Sequence, residues 1–205
     1  MATLKKIDLY KEHKAEYAAR QRPALINVGS AQYLAVAGQG APGGDAFGAA
    51  IGALYAAAFT IKMTRKFAGL QDYAVCKLEG RYFFKPGQLP ADVPKERWKW
   101  QLMIRTPEAV KSKDLRQALA TLEKRGKGAG VKDVSLETVT EGRCVQMLHV
   151  GPYEREEETI AAMKAFAEER GLAMVGPHHE IYLSDPRRVP PERLKTILRE
   201  PVSAK

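Results

Sequence analysis

The spacing of apolar residues divides the chain into strand-like and helix-like stretches. Residues 32–39 are apolar and partly alternating, which predicts a strand, and the Gly/Pro cluster at 38–44 predicts a loop. From Asp45 the apolar positions follow a helical period, which predicts a helix that ends near residues 67–69. Its predicted N-cap is Asp45. One face of this helix carries Phe47, Ile51, Leu54, Ala58 and Ile61.

The remaining sequence predicts a similar order of elements. Strands are predicted over residues 73–84, 98–106 and 178–184, and helices over residues 108–126 and 153–170. Residues 134–140 and 143–150 predict a hairpin that turns at Glu141-Gly142. Leu194, Ile197 and Leu198 predict a short final helix that ends at Pro201.

This order predicts an α+β fold in a single domain, residues 1–205. Two pseudo-symmetric strand–helix–strand–strand modules, about residues 30–107 and 133–186, would form one curved, mostly antiparallel sheet. A helix at 108–126 would link them, and a basic tail would follow at 187–205. We expect helices on one face of the sheet and a ligand cleft on the other.

Composition and charge narrow the function classes. The chain has 205 residues, 45% of them hydrophobic, and a formal net charge of +9. Acidic residues interrupt the basic ones, and neither a helix–turn–helix nor a zinc-finger pattern is present, so we expect no direct nucleic-acid site. The N-terminus lacks a secretory signal, and the apolar run at 46–61 is short for a membrane span. We therefore expect a cytoplasmic protein, with a Cys76–Cys144 disulfide left open.

Glu180 is the first candidate for chemistry. Side chains two residues apart in a strand share a face, so His178, Glu180, Tyr182 and Ser184 should point the same way. A carboxylate in a central strand is costly to bury without a partner, and desolvation would raise its pKa. The alternative is an edge strand that leaves Glu180 in solvent.

Aromatic residues are concentrated near the ends of the predicted modules. Such a group can form a cage that stacks a flat ligand or holds a cation. The alternative is ordinary packing in the core. The residues concerned are Tyr33, Tyr82, Phe83, Phe84, Trp98 and Trp100.

Metal and cofactor patterns are weak in this sequence. His178-His179-Glu180 offers ligand atoms, but no other His or Cys is placed to complete a site, so we expect no metal. The glycine loop at 38–44 lacks the spacing of a phosphate cradle, and no G-x-S-x-G elbow is present. We expect no cofactor.

These residues resemble the stand-alone branch of the GyrI-like small-molecule-binding family. The most specific match is HHEIYLSDPRRVPPERLKTILREP at 178–201, and the resemblance covers nearly the whole length. Further matching pieces lie at residues 6–9, 56–62, 78–80, 98–100 and 149–153. The resemblance implies the paired strand–helix–strand–strand sheet already predicted.

The resemblance also implies a function. Family members bind lipophilic drugs with a glutamate of the last strand at the cleft, and Glu180 matches that position. Some relatives hydrolyse the cyclopropane ring of DNA-alkylating natural products within an aromatic cage, to which Trp98, Trp100, Tyr82 and Phe83 correspond. Relatives often carry tryptophan at the last two positions. Others antagonise toxins of DNA gyrase, which makes gyrase a candidate protein partner.

The leading hypothesis is a protein that binds flat, hydrophobic xenobiotics and hydrolyses a cyclopropane-bearing alkylator. The alternatives are a non-catalytic sequestering protein and a gyrase-directed protective protein. The expected catalytic residues are Glu180, Trp100 and Tyr82, and the expected ligand-binding residues are Tyr33, Phe83, Phe84, Trp98, His178 and Tyr182.

Overall fold

Five α-helices and seven strands, together with short 3-10 helical turns, form the described part of the chain. The computed structural model describes residues 5–85, 88, 90–127 and 130–205. The helices are α1 (Leu9–Glu12), α2 (Lys14–Tyr17), α3 (Asp45–Phe67), α4 (Ser112–Lys124) and α5 (Glu156–Glu168). The strands are β1 (Ala24–Gln39), β2 (Leu78–Phe83), β3 (Lys99–Arg105), β4 (Ser135–Val150), β5 (Leu172–Met174), β6 (His178–Tyr182) and β7 (Lys195–Ala204).

Six of the strands close into a barrel. Their order is β4-β1-β3-β2-β6-β7, and β7 also pairs with β4, so that the sheet returns to its first strand. Every pairing in this ring is antiparallel. The 16-residue strand β4 makes closure possible, because its first part pairs with β1 and its last part, Cys144–Val150, pairs with β7. Strand β5 extends the sheet beyond the ring along β7.

The predicted α+β class is confirmed, and the sheet geometry is corrected. We predicted an open sheet with an uncovered concave face, whereas closure turns that face into the interior of a barrel. The interior is filled by its own side chains and by Tyr17 of α2, which packs on Ile181 and Ile197. The two pseudo-symmetric modules and their boundaries stay predictions.

Two predicted elements were wrong. Glu141-Gly142 is not a hairpin turn, because β4 runs straight through it and stays paired with β1. The tail does not form a helix but the barrel strand β7. Ile197 points into the barrel and Leu198 points out, and because both sides of this strand are covered, apolar residues occupy adjacent positions.

Smaller differences concern the ends of elements. β1 begins at Ala24, eight residues before the predicted start, and β2 is shorter than the predicted 73–84 strand. α3 ends at Phe67 as predicted, but its N-cap is Gly44, and Asp45 is the first helical residue. Cys76 and Cys144 are both buried and free, so the disulfide left open does not form.

The helices α3, α4 and α5 cover the outside of the barrel. α3 is longer than the apolar run noted in the sequence, and by length and composition alone it could cross a membrane. Its buried face, which includes Leu54, Ala58 and Ile61, packs in one core with Leu102 and Ile104 of β3. Burial of these side chains removes apolar surface from water and holds the helix on the sheet.

A cluster of charged side chains inside the barrel is paired around His179. His179 lies between two carboxylates, with Nε2 3.1 Å from Glu79 and Nδ1 2.9 Å from Glu141. Arg199 donates to the second oxygen of Glu141 at 2.8 Å. Burial opposes ionisation of Glu141, but His179 and Arg199 outweigh it and hold the pKa of this carboxyl well below its usual range. The charges of this cluster are thus compensated, as their position in the interior requires.

We predict that Glu141→Gln destabilises the fold, by about 3 kcal/mol at pH 7, because it leaves Arg199 without its buried counter-charge. Since the folded pKa of Glu141 is depressed, its stabilisation is present above the unfolded pKa of about 4.3 and is lost as pH falls below it. Urea unfolding between pH 7 and pH ~3 should therefore show a shallower loss of stability in the variant.

Glu137→Gln provides the matched control for this experiment. Glu137 lies on the same strand but accepts hydrogen bonds only from the neutral Gln101 and Ser135 side chains among the contacts described. Equal effects of the two substitutions on the pH dependence would contradict the role assigned to the Glu141 ion pairs.

Candidate functional site

The candidate residues meet on the outer face of the barrel. Adjacent strands place Tyr82 of β2 opposite Trp100 of β3 on one side and opposite His178 of β6 on the other. Glu180 and Tyr182 follow His178 on the same face. This face is the one that the helices cover, which corrects the expectation that the site lies on the face without helices.

Trp100 is held tightly at the base of this group. Its indole Nε1 donates to the Gly40 carbonyl at 3.1 Å, and Phe47 of α3 packs against the ring at a centroid distance of 5.2 Å. Gly38, opposite Trp100 on β1, leaves room for the ring: a Cβ there would lie 2.2 Å from the indole. Trp100 is only 3% exposed, so in this conformation it is also a core residue.

A second tryptophan lies nearer the surface. Trp98 stands edge-on to Tyr82 and to Phe84, with centroids 5.6 and 5.2 Å apart. Its indole N–H donates to the Val93 carbonyl at 2.8 Å, which fixes the plane of the ring. These edge-to-face contacts are those that aromatic quadrupoles favour.

Two phenols connect the aromatic group to the acid. The hydroxyls of Tyr82 and Tyr182 are 2.6 Å apart, and Tyr153 packs edge-on against Tyr182. Burial first, and the Glu180 carboxylate second, raise the pKa of Tyr82 and of Tyr182 well above the usual value. Both phenols are therefore neutral hydrogen-bonding groups at pH 7.

His178 lies between carboxylates. Its Nδ1 is hydrogen-bonded to Glu200 at 3.0 Å, and its Nε2 is 3.4 Å from Glu180. Burial disfavours the charged ring, but Glu180 and Glu200 outweigh it and raise the pKa of His178 to about 10. Glu180 is itself 7% exposed, so the expectation of a buried strand carboxylate holds and the solvent-facing alternative does not.

Glu156 is a member of this site that the sequence analysis missed. It begins α5, and its carboxylate turns inward beside His178 and Glu180. Burial and the charge of Glu180 raise the pKa of Glu156 well above the usual value. A signal was present in the sequence, since Glu156 lies on the same helical face as Ile160, Met163 and Ala167, where an apolar residue is expected.

Seven of the nine predicted site residues lie in this group. They are Tyr82, Phe84, Trp98, Trp100, His178, Glu180 and Tyr182. Tyr33 does not join them: it points into the barrel and packs with Met103 and Val139. Phe83 lies on the opposite face of β2 from Tyr82, where it is 43% exposed beside Arg81. Alternation along a strand explains both corrections.

The aromatic group is packed rather than open. Tyr82 and Trp100 are 1% and 3% exposed, because the neighbouring rings and α3 occupy the space against them. Two shallow depressions of about 210 and 200 Å³ lie elsewhere, beside His149 and beside Gln146. A ligand that stacks on these rings therefore has to displace side chains.

A family model for the GyrI-like small-molecule-binding domain matches residues 23–202. The chain belongs to this family. The match includes β1 through the first eight residues of β7, and thus the whole barrel and the site described above. A search of curated proteins found no match.

Solved structures agree with the family assignment. A Listeria innocua protein described as a hydrolase is 39% identical to this chain, with a TM-score of 0.88 and coverage of 97% of this chain and 100% of the other. An uncharacterized conserved protein from the same organism is also 39% identical, with a TM-score of 0.89 and the same coverage. The EcmrR C-terminal domain, at 9% identity and a TM-score of 0.58 over 90% of this chain and 98% of its own, shares the fold alone.

We predict that Gly38→Ala lowers the free energy of unfolding by about 1–3 kcal/mol, because its Cβ would overlap the Trp100 ring. Displacement of the indole should also shift the tryptophan emission spectrum. Gly29→Ala on the same strand is the control, since a Cβ there meets no atom within 4 Å. Equal stability of the two variants in urea would show that Trp100 does not occupy the space left by Gly38.

Proposed function

We propose that this GyrI-like domain binds flat, lipophilic xenobiotics at the outer aromatic group and hydrolyses a cyclopropane-bearing alkylating compound. The observation that carries the proposal is the buried Glu180 carboxylate beside the two phenols and the tryptophan cluster. The description of a 39% identical Listeria protein as a hydrolase supports turnover rather than binding alone. Detoxification would be the result.

We assign each side chain of the site a role in binding or catalysis from its position. Tyr82 and Trp100 would stack the planar part of the ligand after Trp98 and Phe84, the outer rings of the group, move aside. Glu180 would position a water molecule or take its proton. The Tyr182 hydroxyl, which is neutral and close to Glu180, could donate to an oxygen of the ligand.

The chemical step is an addition of water across one bond of the strained ring. The water oxygen bonds to a cyclopropane carbon while the ring C–C bond breaks, and the electron pair of that bond moves to the conjugated carbonyl oxygen. That oxygen gains a proton and the attacking water loses one, so atoms and charge balance. A buried, low-dielectric site strengthens the hydrogen bonds that stabilise the developing charge.

We predict that Glu180→Gln reduces ring-opening turnover by at least about 100-fold, because the amide neither carries charge nor accepts a proton. The assay follows the ring-opened product by chromatography and subtracts the uncatalysed reaction. Glu154→Gln, an exposed residue before α5, should retain turnover. Wild-type turnover in Glu180→Gln would overturn the catalytic role, and stoichiometric protection without product would identify a sequestering protein instead.

We also predict that ligand binding quenches tryptophan fluorescence, since the chain has only two tryptophans and both lie in the aromatic group. Trp98→Leu should weaken binding by about tenfold through lost stacking, while Trp98→Phe should retain most of the affinity. Equal affinity of the Leu and Phe variants in the titration would place the ligand away from this group. A cytoplasmic location and a partner such as DNA gyrase stay predictions.

A further inference from the structure

The carboxylate of Glu156 lacks the partner that its burial demands. Glu156 is 7% exposed, and its Oε1 is buried without a hydrogen-bond partner among the described residues. An unsatisfied buried oxygen of this kind costs free energy, and it is more expensive when the group carries charge. The side chain nevertheless turns toward His178 and Glu180 rather than to solvent.

The three side chains offer a compact set of ligand atoms. One atom each from Glu156, His178 and Glu180 lies within 4.8 Å of the other two. The His178 Nε2 and Glu180 Oε1 atoms are 3.4 Å apart. Zn²⁺ binds nitrogen and carboxylate oxygen at about 2.0–2.2 Å, so the edge of its tetrahedron is about 3.4 Å.

Glu200 holds the histidine in the orientation that a metal ligand needs. It accepts a hydrogen bond from His178 Nδ1, at 3.0 Å, which leaves Nε2 turned toward the two carboxylates. A carboxylate behind a metal-binding imidazole is the usual arrangement in protein metal sites. His179 likewise has a carboxylate at each ring nitrogen. The difference is that a third carboxylate, Glu156, lies beside His178 with an oxygen that has no hydrogen-bond partner among the described residues.

We propose that Glu156, His178 and Glu180 bind one divalent transition-metal ion of the Zn²⁺ class, oriented by Glu200. Imidazole nitrogen and carboxylate oxygen are both zinc ligands, and three protein ligands are the number found in zinc sites that keep a fourth position for water. From the sequence we expected no metal, because no third ligand was visible. In the folded chain, Glu156 of α5 supplies that ligand. The proposal goes beyond the proposed function; if both hold, the water that Glu180 positions is the metal-bound one.

The test uses the full-length protein, dialysed against a chelator and titrated with ZnCl₂ by calorimetry in the absence of any organic ligand. We expect saturation at one ion per chain, and Co²⁺ in place of Zn²⁺ should give the intense visible absorption of a four-coordinate site. No saturable binding of either ion would overturn the proposal.

Variants assign the binding to these residues. Glu156→Gln should weaken Zn²⁺ binding by at least about tenfold, whereas Glu157→Gln, the exposed neighbour on the same helix, should bind as the wild type does. Glu200→Gln retains all three ligands and should weaken binding by about 10–100-fold through the orientation of His178. Wild-type affinity in both Glu156→Gln and Glu200→Gln would place the ion elsewhere and overturn the proposal.

Folding is checked by circular dichroism, and if one variant fails to fold, the other variant and the Co²⁺ spectrum of the wild type decide the outcome. The two proposals fail separately. Turnover in a protein that shows no saturable binding of either ion overturns the metal site alone, while one bound ion without turnover overturns the hydrolase alone.

Discussion

The pairing of β7 with both β6 and β4 is the interaction on which the rest of the structure depends. It closes the sheet and thereby divides the side chains of the six ring strands between the barrel interior and the outer face, on which the helices pack. Six strands leave an interior that side chains can fill, so ionic groups placed there must find partners within the barrel. The outer face is covered by helices and keeps contact with solvent at its margins.

The neighbours His178 and His179 show the consequence of this division. They point to opposite sides of β6, and each lies among carboxylates. The interior cluster around His179 is fully paired and includes Arg199, as a structural network should be. In the outer cluster around His178, Glu156 Oε1 has no hydrogen-bond partner within the described part of the chain. This oxygen is one of six buried side-chain polar atoms without a hydrogen-bond partner among the described residues. It lies beside a histidine and a second carboxylate, and the proposed metal site would account for it.

The aromatic group contains one tryptophan that belongs to the core and one that is partly exposed. Trp100 is a core residue anchored by Gly38, Gly40 and Phe47, while Trp98 is partly exposed and rests on a loop carbonyl. The fixed ring thus lies beneath the more exposed one. Under the proposed function, a ligand would reach Trp100 once the outer rings, Trp98 and Phe84, move aside.

The sequence by itself determined the long helices, the α+β class and the common face of His178, Glu180 and Tyr182, since alternation and helical period are local and report which residues share a face. Barrel closure, the strand at Lys195–Ala204 and the inward turn of Tyr33 were decided only by tertiary structure. Those features depend on pairing between residues far apart in the chain. The approach of Glu156 to Glu180 belongs with them. The helical period places Glu156 on the buried face of α5, but only the packing of that helix on the sheet brings its side chain beside β6.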